Sequence, residues 1–231
     1  MKAVIGSALA FANYILPLIP SIPLLGYAGQ ITRRVTTSDE DPSLGEWDDW
    51  GRFFSEGLKI VGAVFLYELP ALLLVALSVT LMVLGVFLPL ESSSEDALFL
   101  AFMLIYLAGL FLFYFGLVLT FVLAIFMAPA LAHMLYTGEF RSAFAIREWW
   151  PIFKANWVGF ALAPVLVYTL NILITMIGYL LYFSIILCFA FPFLAAFGIY
   201  LTITIYFALI AVAYRDSLAK NGQLADKIVS P

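Results

Sequence analysis

Residues 97–138 read ALFLAFMLIYLAGLFLFYFGLVLTFVLAIFMAPALAHMLYTG, without one Asp, Glu, Lys or Arg. A helix crosses the hydrocarbon core with roughly 20 apolar residues. Each charge at the centre of a crossing costs about 2.5–3.5 kcal/mol on insertion scales. A soluble domain gains nothing from so long an uncharged run. Working outward, residues 3–32 and 155–214 are equally free of charge, and only Lys59 and Glu68 interrupt residues 58–90. The whole chain of 231 residues is 65% hydrophobic and 11% charged, with a mean hydropathy of +1.07. Soluble domains carry about a quarter charged residues. The chain therefore reads as an all-α polytopic membrane protein. A membrane β-barrel would alternate apolar and polar residues in segments of roughly 10. These runs are continuously apolar, and helices are the way such a run satisfies its own backbone in lipid.

The reading gives four crossing helices in a single membrane domain, residues 1–231. A fifth segment, Ala3–Ile31, is broken by Pro17, Pro20 and Pro23. Each proline lacks a backbone donor and clashes with the preceding turn. The segment is thus either one broken crossing or a re-entrant hairpin: a helix to Leu16, a proline turn, and a second helix from Pro23 into Arg34. No small-x-small cleavage site precedes Pro17, so a cleaved signal is not expected. The second run should tilt or bend at Pro70 and end in the turn Glu91–Asp96. The third ends near Gly138. The fourth contains two crossings with a turn between Leu180 and Pro192. Residues 216–231 read as a polar tail.

Two amphipathic segments flank these runs. Ser43 and Glu46 have capping-box spacing, which starts a helix near Leu44. Its apolar residues Leu44, Trp47, Trp50, Phe53, Phe54 and Leu58 recur at helical spacing. The second segment is FRSAFAIREWWPIFKANW, residues 140–157. Both are expected to lie flat at the interface, anchored by Trp47, Trp50, Phe53, Trp149, Trp150 and Phe153. Both carry a Trp-x-x-Phe step, at Trp50–Phe53 and Trp150–Phe153, and each is followed by a helix with a proline, Pro70 and Pro164. This suggests parallel internal repeats at about 23–96 and 127–190.

Basic residues orient the chain. Arg33, Arg34, Arg52, Lys59, Arg141, Arg147, Lys154, Arg215, Lys220 and Lys227 all fall on the side opposite the Glu91–Asp96 turn. That side is expected to be cytoplasmic, along with the polar loops and the C-terminus, in a plasma membrane. Lys2 joins them if the first segment is re-entrant. The net charge of −4 is concentrated at Asp39–Glu56 and argues against nucleic acid as a partner. The expected partners are the lipid bilayer and either another membrane protein or a second copy of the chain.

Chemistry-bearing motifs are sparse. The sequence holds no P-loop, G-x-G-x-x-G, H-E-x-x-H or C-x-x-C, and no G-x-S-x-G elbow. Cys188 is the only cysteine, so it makes no internal disulfide, and it reads as a small buried hydrophobe. The carboxylates of Asp39–Asp49 do not have EF-hand spacing and read as a solvated loop. No catalytic residue, metal site or cofactor is expected. The candidate intramembrane polar residues are Glu68, Asn171 and His133. Glu68 lies roughly 13 Å beyond Lys59 along a helix. It is either a hydrogen-bonded structural glutamate or a proton or cation site, since intramembrane carboxylates mark such paths. Asn13 and Asn171 read as interhelical glue.

Several blocks carry a family resemblance: Leu25-Gly26-Tyr27, Arg33-Arg34, Asp49-Trp50-Gly51, Gly57-Leu58-Lys59, Leu69-Pro70, Pro129-Ala130 and Thr137-Gly138. Across nearly the whole chain, these resemble a prokaryotic, largely archaeal, membrane family, the domain of unknown function numbered four thousand and thirteen. The resemblance implies a helical membrane fold and carries over no catalytic residues. Glu68 stands where a small residue is expected in that family. The sequence thus points to a non-enzymatic structural or accessory membrane protein. The alternative is a transporter or channel for a small solute, proton or lipid that uses Glu68.

Overall fold

A computed structural model describes residues 1–38, 41–87, 95–183 and 188–222. These residues form seven α-helices: α1 (Lys2–Ala12), α2 (Ser21–Ser38), α3 (Trp50–Phe87), α4 (Glu95–Thr137), α5 (Ile146–Ala155), α6 (Trp157–Tyr182) and α7 (Phe191–Lys220). Short 3-10 turns at Phe140–Phe144 and Cys188–Ala190 precede α5 and α7. No strand occurs among the described residues. Four helices, α3, α4, α6 and α7, are long and apolar enough to cross a membrane.

The proline-rich segment breaks earlier than its prolines. α1 stops at Ala12, where the Asn13 amide donates to the Leu9 carbonyl at 3.3 Å and accepts from the Ser21 hydroxyl at 2.8 Å. Leu18 turns the chain with φ of 74°. Asn13 is therefore glue between α1 and α2. The two helices pack on each other, and both reach the loop that precedes α3. From α1, Lys2 Nζ donates to the Leu44 carbonyl at 3.0 Å and pairs with Glu46 at 2.6 Å. From α2, the Tyr27 hydroxyl donates to the Gly45 carbonyl at 3.0 Å. Burial pushes the Tyr27 pKa up, so the phenol stays a donor. The tip of this hairpin exposes Tyr14, Ile15, Leu16, Leu18 and Ile19.

The first flat amphipathic helix expected from the sequence does not form. Residues 41–49 are not helical. Glu46 pairs with Lys2 instead of closing a capping box with Ser43. Trp47 stacks on Tyr27 at 3.8 Å and donates its indole N–H to the Lys2 carbonyl at 3.2 Å. The helix starts at Trp50 because Asp49 Oδ1 accepts the Arg52 N–H at 3.0 Å, the bond of an N-cap aspartate. It then runs unbroken through Pro70 to Phe87. The second segment does form a separate short helix, α5, after its 3-10 turn.

Two compact units divide the chain, Met1–Ala63 with Ile125–Pro231, and Val64–Ala124. In the first unit α7 packs on α1, α2, α5 and α6. Two bonds reach its carbonyls from other elements, Thr32 Oγ1 to Phe207 at 2.8 Å and Asn156 Nδ2 to Ala213 at 3.3 Å. Gly26 and Gly57 let α2 and α3 cross backbone to backbone. A side chain on Gly26 would strike the Phe53 carbonyl, and one on Gly57 the Ile22 carbonyl. The last turns of α4 are buried in this unit: Ala128, Ala130, Leu131, Ala132, Met134 and Leu135. The run 97–138 is therefore one crossing followed by a protein-buried end, which is why it is about twice as long as lipid requires. At the far end α7 continues to Lys220, and Ser217 and Leu218 are buried. The tail expected from 216 is helical over its first residues.

The second unit is a hairpin built from the distal parts of α3 and α4. Its contact residues are small and seven apart. Ala71 and Ser78 on α3 are fully buried. They face Gly116 and Gly109 on α4, and Gly85 faces Ile105. Seven-residue spacing keeps one stripe on the partner helix, and small residues let membrane helices approach closely. The outward faces expose Leu73, Leu77, Leu84, Phe87, Phe99, Phe111 and Tyr114.

Candidate functional site

The first unit gathers its ionisable groups where α2, the start of α3 and the end of α4 meet. Glu56 is 8% exposed, although it is charged. Its Oε1 accepts from Arg33 at 3.1 Å and from Arg52, four residues earlier, at 2.9 Å. Its Oε2 is buried without a partner. Both guanidinium groups are over 40% exposed, so the Coulomb gain is screened and modest. One turn further along, Lys59 Nζ donates to the Gly138 carbonyl at 2.9 Å. Gly138 closes α4 in the left-handed conformation, φ of 78°, with its N–H on the Met134 carbonyl at 2.8 Å. This is a glycine C-cap completed by a cation on the end of the helix dipole.

His133 ties three helices together. Nε2 lies 3.1 Å from Glu148 of α5, and Nδ1 lies 2.7 Å from the buried Tyr214 hydroxyl of α7. A carboxylate only accepts, so in the neutral ring Nε2–H donates to Glu148 and the Tyr214 hydroxyl donates to Nδ1. Both ring nitrogens are thereby committed. His133 itself is 7% exposed, inside protein and not at a lipid interface.

The three polar residues expected inside the membrane are divided between the two units. Glu68 belongs to the second unit, where it is half-buried and hydrogen-bonded to Thr120 of α4. His133 and Asn171 belong to the first unit. Asn171 is exposed on α6 beside a cavity of about 170 Å3 lined also by Gly178, Phe191 and Gly198. Among the described residues, no three His, Cys, Asp or Glu side chains gather where a metal could bind.

Of the six expected interfacial anchors, two are core residues. Phe53 is fully buried against the α2 crossing, and Trp149 is 2% exposed with its indole donating to the Ala143 carbonyl at 3.0 Å. A ring enclosed by protein cannot lie among headgroups. Trp50 and Trp150 keep exposed faces, and Lys154 lies over the Trp150 ring. Trp47 and Phe153 are half-buried. The Cys188 side chain lies outside the described residues, as does the turn at 91–94.

Four apolar helices of crossing length define a multi-pass α-helical membrane protein. The chain belongs to the family described as protein of unknown function (DUF4013), whose model matches residues 9–183. No curated protein and no solved structure matches the chain. Of the blocks that carry the family resemblance, Leu69-Pro70 lies in the second unit and the others lie in the first. Gly26 and Gly57 make the α2–α3 crossing, Tyr27 holds the loop, and Asp49 caps α3. Arg33 reaches Glu56, and Lys59 reaches Gly138. In these blocks the side chains join α2, α3 and the end of α4. In the sequence Glu56 stands out only as the end of the acidic stretch Asp39–Glu56. Its position four residues after Arg52 was the available signal for an ion pair.

Proposed function

We infer that the protein is a non-enzymatic structural or accessory membrane protein of the plasma membrane, with its polar loops and C-terminus in the cytoplasm. The observation that carries this reading is the commitment of its polar groups. Arg33 and Arg52 hold Glu56, Lys59 caps α4, and His133 bridges α5 and α7. Apart from the Arg52–Glu56 pair within α3, each bond joins helices or ends one. The hairpin α1–α2 fits a re-entrant segment, because both helices return to the loop before α3 and its exposed tip is apolar. Paired ring contacts at Trp50–Phe53 and Trp150–Phe153 favour a duplication spanning about 23–96 and 127–190. So do Thr37 and Thr137, which each bond the carbonyl four residues back.

A transporter reading draws on the suspected repeat, the proline-broken helices and Glu68, and the hydrogen bond of Glu68 to Thr120 favours a structural role for that residue. The test is purified protein in sealed vesicles, with proton and small-cation flux measured for wild type and Glu68→Gln. The expected result is no flux above empty vesicles for either. A flux that Glu68→Gln abolishes while thermal stability in detergent is unchanged would overturn the accessory reading.

A further inference from the structure

We propose that the outer face of α6 is a homodimer interface in which Asn171 of one copy hydrogen-bonds to Asn171 of a second. Asn171 lies near the middle of α6 (Trp157–Tyr182), roughly 20 Å along the helix from Trp157 and about 17 Å from Tyr182. It is therefore far from either headgroup region. Its side chain is exposed, borders both the α6 surface groove and the cavity between α6 and α7, and makes no hydrogen bond among the described residues. The same is true of Thr175, one turn further on. Thr169, also on α6, satisfies its hydroxyl on the Val165 carbonyl at 2.8 Å, so Asn171 and Thr175 are the polar groups of this stretch left without a bond. A primary amide brings two N–H donors and a carbonyl acceptor. Lipid chains offer it nothing, and an unbonded polar group in hydrocarbon is costly.

The surface around Asn171 forms a stripe. Tyr168, Asn171, Ile172, Thr175, Met176 and Tyr179 line one shallow groove of about 530 Å3 on the α6 surface. Their spacing follows the three- and four-residue steps of one helix face, the pattern by which helices dock lengthwise. A second copy is the occupant that the chemistry selects. Copies of one chain insert with the same topology, so two α6 helices meet in parallel across a two-fold axis. Each residue of the stripe then faces its own equivalent, as isologous interfaces require. An amide is self-complementary in that arrangement, because each donates one N–H to the carbonyl of the other. Polar side chains at just such positions fix the register and oligomeric state of paired helices. This interface goes beyond the accessory reading and uses no residue of the Glu56 or His133 clusters.

Single cysteines in a Cys188→Ser background test it in native membranes. Ile172→Cys and Thr175→Cys should form disulfide dimers on mild oxidation, and Leu173→Cys, exposed but off the stripe, should not. Adding Asn171→Leu should lower the Thr175→Cys dimer yield about tenfold, and Asn171→Gln should restore most of it. Helical circular dichroism and thermal melting in detergent should be the same for both Asn171 variants. Independently, fluorophore-labelled wild-type protein diluted into vesicles should bleach in two steps. One-step bleaching of wild type, equal cross-linking at Leu173 and Thr175, or adducts at the mass of a different protein would each overturn the proposal.

Discussion

The two compact units solve the membrane problem in opposite ways. Val64–Ala124 is a hairpin sealed along a single seam. Small residues every seven positions, Ala71, Ser78 and Gly85 against Gly109 and Gly116, bring α3 and α4 close, and its outward faces expose large apolar side chains. The other unit buries its helices on several sides and locks them with polar bonds: Arg33 and Arg52 on Glu56, Lys59 on Gly138, Thr32 on Phe207, and His133 on both Tyr214 and Glu148. In lipid there is little hydrophobic drive to bring helices together. The hairpin answers with close contact, and the larger unit answers with hydrogen bonds. The same two helices, α3 and α4, pass through both regimes along their length.

Substitutions can break or sharpen this contrast. The largest effect is expected from Gly57→Leu, which drives a side chain into the Ile22 carbonyl at the α2–α3 crossing. Backbone cannot yield there as a side-chain tip can, so a loss of about 3 kcal/mol or more is expected. Denaturant unfolding in detergent would read it out. Gly116→Val is expected to cost about 1–3 kcal/mol, because its new atoms meet Val75 in the hairpin seam. Hydrogen exchange should rise over residues 64–124 and stay level over α7. Comparable loosening of α7 would show that the two units unfold as one and dissolve the contrast.

Glu56→Gln keeps an acceptor but leaves Arg33 and Arg52 without their counter-charge. Since both guanidinium groups are partly exposed, about 1–2 kcal/mol is expected. The loss should shrink as added salt screens the pair, which a melting series from low to high salt would detect. Asp49→Ala should cost about 1 kcal/mol through the lost N-cap, with fraying confined to the first turn of α3. Equal exchange in that turn before and after the substitution would show that the stacked Trp47 and Tyr27, and not the cap, hold the helix start.

Much of this architecture was legible from charge-free runs alone. They gave four crossing helices, while Pro17, Pro20 and Pro23 marked the helix break in the first segment, and α6 and α7 end and begin within the expected turn from Leu180 to Pro192. What they could not separate is lipid from protein interior, since both accept an uncharged residue. Residues 128–135 look like more membrane span and are instead buried core. The same ambiguity misplaced Phe53 and Trp149, whose amphipathic setting suits an interface as well as it suits a packed helix. The Ser43–Glu46 spacing was a correct local signal overruled by distant partners, Lys2 for Glu46 and Tyr27 for Trp47. For the polar residues, the sequence located Glu68, His133 and Asn171 but carried no information on who faces whom. The His133–Tyr214 pair joins positions 81 residues apart.

One consequence concerns α7. Within two turns of this helix, Phe207 is held from α2, Ala213 from the residue that opens α6, and Tyr214 from α4. A rod gripped from three directions over so short a length can neither slide along its axis nor spin about it. The second half of α7 is then the fixed axle of the first unit, the frame against which movement of α1, α2, α5 and α6 is to be measured. In its first half the rings of Phe11 and Phe193 stack at 4.9 Å.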